Sequence, residues 1–466
     1  MGQPLLSRWL RWLVYASMLV WLLISWSWFT RHVLTPEVKE NAWPYSGYWI
    51  APRLALEGRA HLVYTEGSGY LQEIDRLNVS GDMVEVNTPA TMLPFLPLAL
   101  LPIAEAFRIW TVVSLTCFGL GWVVLLRTVR LPILVALLFT AALPFFEPFS
   151  QNIAGQVYLA LFSLVTLSAV CSLTSPASTS AVGHGTARRQ VLGGLLLGVA
   201  AVFKLYYGLV LAVSAAVKRR WIYLASAGLV VVASVLLTTL AWGTGIWERA
   251  IYLSLTWRER PETIQTAYQT THSLLARLFR FDAQWNPAPV ADLPWLAGSL
   301  WWLVTVSTLG LTIWALWRSG TRRAARELRS PAWQLLAPCV PVPLASALAP
   351  IAEGYHYALC LFPIVVVTAV IFEAWRYQLT VVWLQGRKLP RGLPAVSAGL
   401  MLGMALLGAS WQYNVERVDG WASLLHYPRL FGGLLLWLLL VVLLVRPSIA
   451  GIVEKSHTGI TSEAAP

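Results

Sequence analysis

The chain has 466 residues, of which 57% are hydrophobic and only 12% are charged, and its mean hydropathy is +0.62. A soluble protein of this length needs more charge to cover its surface, so the composition predicts a polytopic helical membrane protein instead. The formal net charge of +12 is typical of basic cytoplasmic loops, and it does not predict a nucleic-acid partner.

Repeated apolar runs predict an all-α bundle of about twelve transmembrane helices, within a range of ten to thirteen. The first run follows Arg8 and Arg11 and is too long for the core of a signal peptide, so we expect it to be retained as a helix. Lys204 interrupts the sixth run. The predicted spans are 9–29, 89–105, 107–126, 131–147, 154–174, 190–217, 221–243, 297–317, 332–352, 356–375, 392–410 and 429–446.

Short basic loops predict the orientation. The segments 218–220, 318–329 and 376–391 are rich in lysine and arginine, which places them and both termini in the cytoplasm. Two smaller basic clusters, at 127–130 and 188–189, disagree with this assignment. We expect one integral domain over 1–446 in the plasma membrane of a bacterium, followed by a disordered tail over 447–466. The loops predicted to lie outside are 30–88, 244–296, 353–357 and 411–428.

The first of these loops is the polar part of an otherwise apolar chain. The pattern of polar and apolar residues over 48–57 predicts a short amphipathic helix at the membrane interface. Most of the loop's carboxylates are expected to be solvated, but one of them could act as a general base on a hydroxyl group. Arg53 is the cation of the loop best placed for an anionic substrate. The carboxylates are Glu37, Glu40, Glu57, Glu66, Glu73, Asp75, Asp82 and Glu85.

Two further polar positions interrupt the apolar runs. Lys204 lies inside one, where a charge is costly and needs a polar partner or a cavity. It is either a phosphate ligand or a lysine that reaches the lipid headgroups. Glu353 and His356 lie between two spans and can face one cavity if the segment is helical. His356 is either a proton shuttle or phosphate donor, or a loop histidine with a structural role.

No cofactor is predicted. The sequence has no Walker loop, no HExxH motif and no nucleophile elbow, so ATP hydrolysis, zinc proteolysis and acyl transfer through a serine are unsupported. The four cysteines lie in apolar runs without metal-ligand spacing.

A series of motifs occurs in a fixed order along residues 40–375. The motifs are Tyr48–Gly58 with Tyr64, Asn87-Thr88-Pro89, Pro97–Pro102, Gly155-Gln156, the glycine-rich run ending at Lys204, His272–Leu278 and Glu353–Tyr357. In the order of these motifs the chain resembles glycosyltransferase family 87. The resemblance implies a GT-C-like bundle with a large first extracytoplasmic loop. It also implies transfer of a mannose-like hexose from a polyprenyl-phosphate donor to a lipid or glycan acceptor, without a metal.

One departure from the family pattern concerns the catalytic base. Members usually carry an Asp-Phe pair just before the tyrosine-rich stretch, and that pair falls on Pro44-Tyr45 here. Either Glu40 or another loop carboxylate (Glu85 or Asp82) replaces the aspartate, or the protein is an inactive lipid-sugar-binding homologue. A transporter or flippase is less favoured, because Lys204 is almost alone among charges within the spans.

The resemblance and the residues together define the predicted site. We expect catalytic roles for Glu40, Glu85 and His356. We expect contacts with substrate or phosphate from Tyr48, Arg53, Asn87, Lys204 and Glu353.

Overall fold

The structure is a computed structural model that describes residues 5–36, 43–65, 68–79, 87–173, 184–321, 330–385, 392–409 and 420–445. Over these ranges the chain is helical and forms no β-sheet, which confirms the all-α fold. The α-helices of five or more residues are α1 (Leu5–Phe29), α2 (Trp43–Leu56), α3 (Ser68–Arg76), α4 (Ile103–Val129), α5 (Ile133–Ala142), α6 (Glu147–Gln151), α7 (Tyr158–Cys171), α8 (His184–Phe203), α9 (Leu205–Val217), α10 (Trp221–Trp242), α11 (Gly245–Thr256), α12 (Thr271–Phe279), α13 (Pro294–Thr321), α14 (Pro331–Cys339), α15 (Pro341–Leu348), α16 (Leu361–Gln385), α17 (Gly392–Leu407) and α18 (Pro428–Val445).

Within the described ranges, eight helices are long and apolar enough to cross a membrane. A ninth span results if Ile133–Phe145 and Glu147–Ala154, which are bent by 64°, are counted as one. All twelve predicted segments contain helix, but several of these helices are too short to cross alone, so the count of twelve spans stays a prediction. The shorter apolar helices are Pro89–Ala99, Tyr158–Cys171, Leu205–Val217 and Gly392–Leu407.

The distribution of buried and exposed apolar side chains fits a membrane protein. Leu240 of α10 is 83% exposed and Leu303 of α13 is 62% exposed, as expected for helices that face lipid. In contrast, Tyr158 and Phe162 of α7 are fully buried in the core. The core therefore forms around α7 and α16, and the outer helices turn apolar side chains toward the membrane.

Prolines reshape the second predicted span. A single helix over 89–105 is wrong, because the chain forms a 3₁₀ segment at Pro89–Phe95, one α-helical turn at Leu96–Ala99 and a new helix from Ile103. Proline lacks a backbone donor and crowds the preceding turn, and prolines occur throughout this stretch. The indole of Trp49 in α2 donates to the carbonyl of Leu101 (3.1 Å), which holds the broken segment against the first loop.

The four loops predicted to share one side of the membrane contact one another. Arg249 of the second loop donates to the carbonyl of His61 in the first. The backbone N–H of Gln269 donates to Ala352, beside the third loop (2.8 Å), and its side chain donates to the carbonyl of His426 in the fourth (2.8 Å). These contacts gather the polar segments at one end of the bundle.

A buried ion pair lies behind the third loop. Arg429 at the start of α18 is fully buried, and its Nη2 lies 2.7 Å from Oε2 of Glu147 in α6. Its Nη1 also donates to Gln151 (3.2 Å). A Cβ at Gly354 would lie 1.3 Å from that Nη1, so only glycine lets the loop pass over the guanidinium.

We expect Gly354→Ala to lower the thermal unfolding midpoint strongly. The added methyl group displaces Arg429, and separating a buried ion pair costs about 3–5 kcal/mol. Gly310→Ala in α13 is the matched control, because a Cβ there meets no atom within 4 Å. Scanning fluorimetry of the purified protein in detergent measures both midpoints. Equal midpoints would contradict the packing described for Arg429.

Candidate active site

A helix break places Lys204 at the centre of the candidate site. Helix α8 ends at Phe203 and α9 begins at Leu205, while Lys204 has an extended backbone with φ −150° and ψ 98°. The hydroxyl of Thr91 donates to the carbonyl of Val202 (2.9 Å) and satisfies one group that the break leaves without a helical partner. The partially positive N-terminus of α9 therefore begins at the same residue that carries the ammonium group.

The ammonium group of Lys204 is held by an amide and by aromatic rings. Its Nζ donates to Oδ1 of Asn87 (2.6 Å). It lies 5.9 Å from the ring centroid of Tyr48 and 5.8 Å from that of Tyr158. Ring faces attract cations, so these contacts offset part of the cost of removing the charge from water. The side chain is half-buried and remains accessible to a ligand.

The first loop supplies the opposite side of the site. The hydroxyl of Tyr48 in α2 donates to Oε1 of Gln156 (3.1 Å), and that of Tyr64 donates to the carbonyl of Asn87 (2.6 Å). Gly155 makes this approach possible, since its φ is +104° and a Cβ there would lie 2.5 Å from that of Tyr45. Three motifs separated in the sequence thus meet at Lys204.

The third loop reaches the site through His356. The imidazole centroid lies 4.4 Å from the ring of Tyr158 and 4.6 Å from the ring of Tyr355. The side chain is 7% exposed, and its Nδ1 has no hydrogen-bond partner among the described residues. Glu353 accepts a hydrogen bond from the hydroxyl of Tyr355 (3.2 Å). Lys204 and His356 therefore contact the same ring, that of Tyr158.

We call this group the Lys204 cluster. Tyr158 is its central ring, and sequence reasoning missed it, although it follows Gln156 by two positions. Its hydroxyl lies 3.0 Å from that of Tyr206, directly after the helix break. The only sequence signal for these tyrosines is their position next to motifs already singled out. The cluster comprises Tyr48, Asn87, Gln156, Tyr158, Lys204, Tyr206, Glu353, Tyr355 and His356.

Arg53 makes different contacts. Its Nε lies 2.9 Å from Oε1 of Glu57, and its Nη1 donates to the carbonyl of Ala99 (3.2 Å). Glu57 also pairs with Arg76, which in turn lies 2.7 Å from Glu73. These contacts place Arg53 in a chain of ion pairs along the first loop, and they do not join it to the Lys204 cluster.

The structure describes some of the carboxylates of the first loop but not the predicted bases. Glu40 and Glu85, the predicted bases, lie outside the described residues, as does Asp82. Partial burial alone would raise the pKa of Glu57, but hydrogen bonds from Arg53 and Arg76 hold that pKa below its ordinary value. A carboxylate with a lowered pKa is a weaker base, so Glu57 is poorly suited to deprotonate a hydroxyl.

Metal ligation finds no support in the described ranges. There, no three His, Cys, Asp or Glu side chains lie together in a group that could hold a metal ion. The expectation of a metal-free reaction stays a prediction.

Comparison with known protein families identifies the family of the chain. The model of glycosyltransferase family 87 matches residues 86–346, which is more than half of the chain. The matched interval includes Asn87, Lys204 and the second loop, and it ends before Glu353 and His356. No curated protein and no solved structure matches the chain.

The helix break gives a prediction about stability. We expect Thr91→Val to lower the thermal unfolding midpoint, because it leaves the buried carbonyl of Val202 without its donor, at a cost of about 1–3 kcal/mol. Thr128→Val is the matched control, since that hydroxyl only bonds back to Val124 within its own helix. The midpoints are measured in the same detergent. A control that loses as much as Thr91→Val would show that the break does not depend on this bond.

Proposed function

Because the chain belongs to glycosyltransferase family 87, we propose that it transfers a mannose-like sugar from a polyprenyl-phosphate donor to a lipid or glycan acceptor on the extracytoplasmic face of the cell membrane. Membership of the family and the apolar helices make the protein a membrane glycosyltransferase. The observation that carries the finer proposal is the ammonium group of Lys204, which lies at a helix break, bonded to Asn87 and close to the rings of Tyr48 and Tyr158.

A phosphate group suits the surroundings of Lys204. The lysine supplies a full positive charge, and the N-terminus of α9 adds partial positive charge at the same place. Two leucines of α9 that follow the lysine are accessible, with Leu205 40% exposed and Leu209 58% exposed. A lipid-linked sugar phosphate could therefore place its phosphate at Lys204 and its polyprenyl tail along the outer surface of α9.

The proposed reaction is a single displacement. The acceptor hydroxyl oxygen attacks the anomeric carbon from the face opposite the phosphate, and its proton passes to a carboxylate. The bond between the anomeric carbon and the phosphate oxygen breaks, and that oxygen keeps the electron pair. Lys204 and His356 stabilise the charge that develops on the leaving phosphate, which a metal ion often does in other enzymes.

Glu85 is the better placed of the two predicted bases. It precedes Asn87 by two positions, and chain geometry limits the separation of their Cα atoms to about 7 Å. Asn87 in turn binds Lys204 directly. Glu40 precedes Tyr48 by eight positions, so the covalent chain does not confine it to the site in the same way. We therefore propose Glu85 as the residue that replaces the missing family aspartate.

Lys204→Gln is expected to reduce sugar transfer by at least about a hundredfold, since charge stabilisation of a leaving group is worth several kcal/mol. The assay follows radiolabelled mannose from polyprenyl-phosphate mannose into lipid and glycan fractions. Lys218→Gln, in a predicted cytoplasmic loop, removes the same charge and should leave the rate unchanged. A nucleotide-linked sugar should give no transfer with the unmodified protein. Equal rates for the two variants would refute the role of Lys204.

The identity of the base gives a separate test. Glu85→Gln should reduce the rate by about 100- to 10,000-fold, because proton transfer to a positioned base contributes that much. Glu40→Gln should remain within a few-fold of the unmodified protein in the same assay. The reverse pattern would assign the base to Glu40. Protein that binds the donor but transfers no sugar, even unmodified, would instead favour the inactive homologue.

A further inference from the structure

A pocket lies between the second loop and the start of α13, and it shares no residue with the Lys204 cluster. It encloses about 380 Å³, and pockets for small ligands usually fall between roughly 300 and 1,000 Å³. The motif His272–Leu278 contributes to it, although the proposed transfer reaction gives that motif no role. The lining residues are Arg258, Glu259, His272, Ala276, Arg280, Pro294, Ala297 and Gly298.

Two arginines make this pocket positive. The guanidinium of Arg258 lies 5.0 Å from the ring centroid of Trp301, and Nη2 of Arg280 donates to the carbonyl of Glu259 (2.9 Å). Glu259 is the one carboxylate in the lining, and it is exposed. Guanidinium groups form paired hydrogen bonds with phosphate oxygens, so the pocket favours an anionic group such as a phosphate over a neutral group of similar size.

His272 adds a neutral hydrogen-bonding group. Burial, together with Arg258 and Arg280, lowers the pKa of this histidine to about 4, so the ring is neutral near pH 7. Its Nδ1 is buried and has no partner among the described residues, and the same holds for Nε1 of Trp301, whose ring lies 6.0 Å from the imidazole. Unpaired buried polar atoms are costly, and a ligand with several oxygens could satisfy the imidazole.

The pocket also lies at the beginning of a membrane-spanning helix. Three of its lining residues belong to the first two turns of α13, which is long and apolar enough to cross a membrane. Trp295 on that helix is 68% exposed, and Trp302 is 56% exposed. Exposed tryptophans near the end of a span are typical of the headgroup region of a bilayer. The exposed tryptophans therefore indicate that the pocket lies at the level of the lipid phosphates.

We propose that this pocket binds the phosphate group of an anionic membrane lipid. Arg258 and Arg280 hold the phosphate oxygens, and the acyl chains lie along the apolar surface of α13. Glu259 faces the hydroxyl groups of the headgroup, where a carboxylate can accept hydrogen bonds. The site is separate from sugar transfer, so it does not depend on the reaction proposed above.

The test compares three probes on the purified full-length protein in detergent. Dioctanoyl phosphatidylglycerol should bind measurably in a titration, whereas dioctanoylglycerol, which has the same tails and no phosphate, should not. Inorganic phosphate should bind at least about tenfold more weakly than the lipid, because it lacks the apolar contacts. Equal affinity for inorganic phosphate would overturn the lipid assignment and make this a free-phosphate site.

Variants locate the binding site. Arg258→Gln and Arg280→Gln should each weaken phosphatidylglycerol binding by about tenfold, the worth of one charged hydrogen bond. Arg260→Gln removes the same charge two positions from Arg258 and does not line the pocket, so it should bind like the unmodified protein. Equal affinities across the three variants would refute the proposal.

Two further variants keep the test independent of folding and of the transfer site. Arg258→Lys keeps the charge but loses the paired geometry, so it should bind with intermediate affinity and an unchanged unfolding midpoint. Lys204→Gln should bind phosphatidylglycerol normally. Loss of binding in Lys204→Gln would place the lipid at the Lys204 cluster and overturn the assignment to this pocket.

Discussion

The cost of a lysine ammonium within apolar helices is the constraint on which the candidate site depends. Such a charge needs polar or aromatic partners, because lipid and packed side chains provide no solvation. The chain meets this need at a helix break, where Asn87, Tyr48 and Tyr158 surround Lys204. The break in turn requires Thr91 to satisfy a backbone carbonyl. The position of the charge and the break in the helix therefore depend on each other.

Close packing behind the site brings the distant motifs together. Gly155 lets the loop after α6 approach α2, and Gly354 lets the third loop pass over Arg429. The ion pair of Arg429 with Glu147 then holds that loop while His356 packs on Tyr158. Removing water from a buried ion pair is costly, so the main effect of the pair is to position the third loop and not to stabilise the fold. The orientation of His356 depends on residues that take no part in the chemistry.

Most described charges of the first loop neutralise one another. Arg53, Glu57, Arg76 and Glu73 form a connected chain, and Arg59 extends it with a bidentate contact to Glu73. The arginines of these pairs are partly exposed, whereas Glu73 is buried, and the pair between Arg76 and Glu57 ties α3 to α2. Among the described residues of this loop, these charges therefore have a structural role. The described cations proposed to meet phosphate lie elsewhere, at Lys204 and at the pair Arg258 and Arg280.

The sequence by itself determined the properties that depend on neighbours along the chain. Apolar runs predicted the helices, and a lysine inside one of them predicted the interruption at Lys204, since both follow from the local cost of placing polar groups in lipid. The order of the motifs indicated the family. The prolines of 89–105 were visible too, but the three separate pieces that they produce depend on how α2 and α4 pack around them.

Only the tertiary structure decided which side chains meet. The contact between Lys204 and Asn87 joins residues 117 positions apart, and no periodicity predicts it. The sequence predicted contacts with substrate or phosphate for both Arg53 and Lys204. In the structure, however, Arg53 pairs with Glu57 one helical turn away. Tyr158 gave no signal of its own because a buried aromatic residue in an apolar run usually serves packing alone. Which cation can meet a phosphate is set by contacts between helices, and these form only when the whole bundle is assembled.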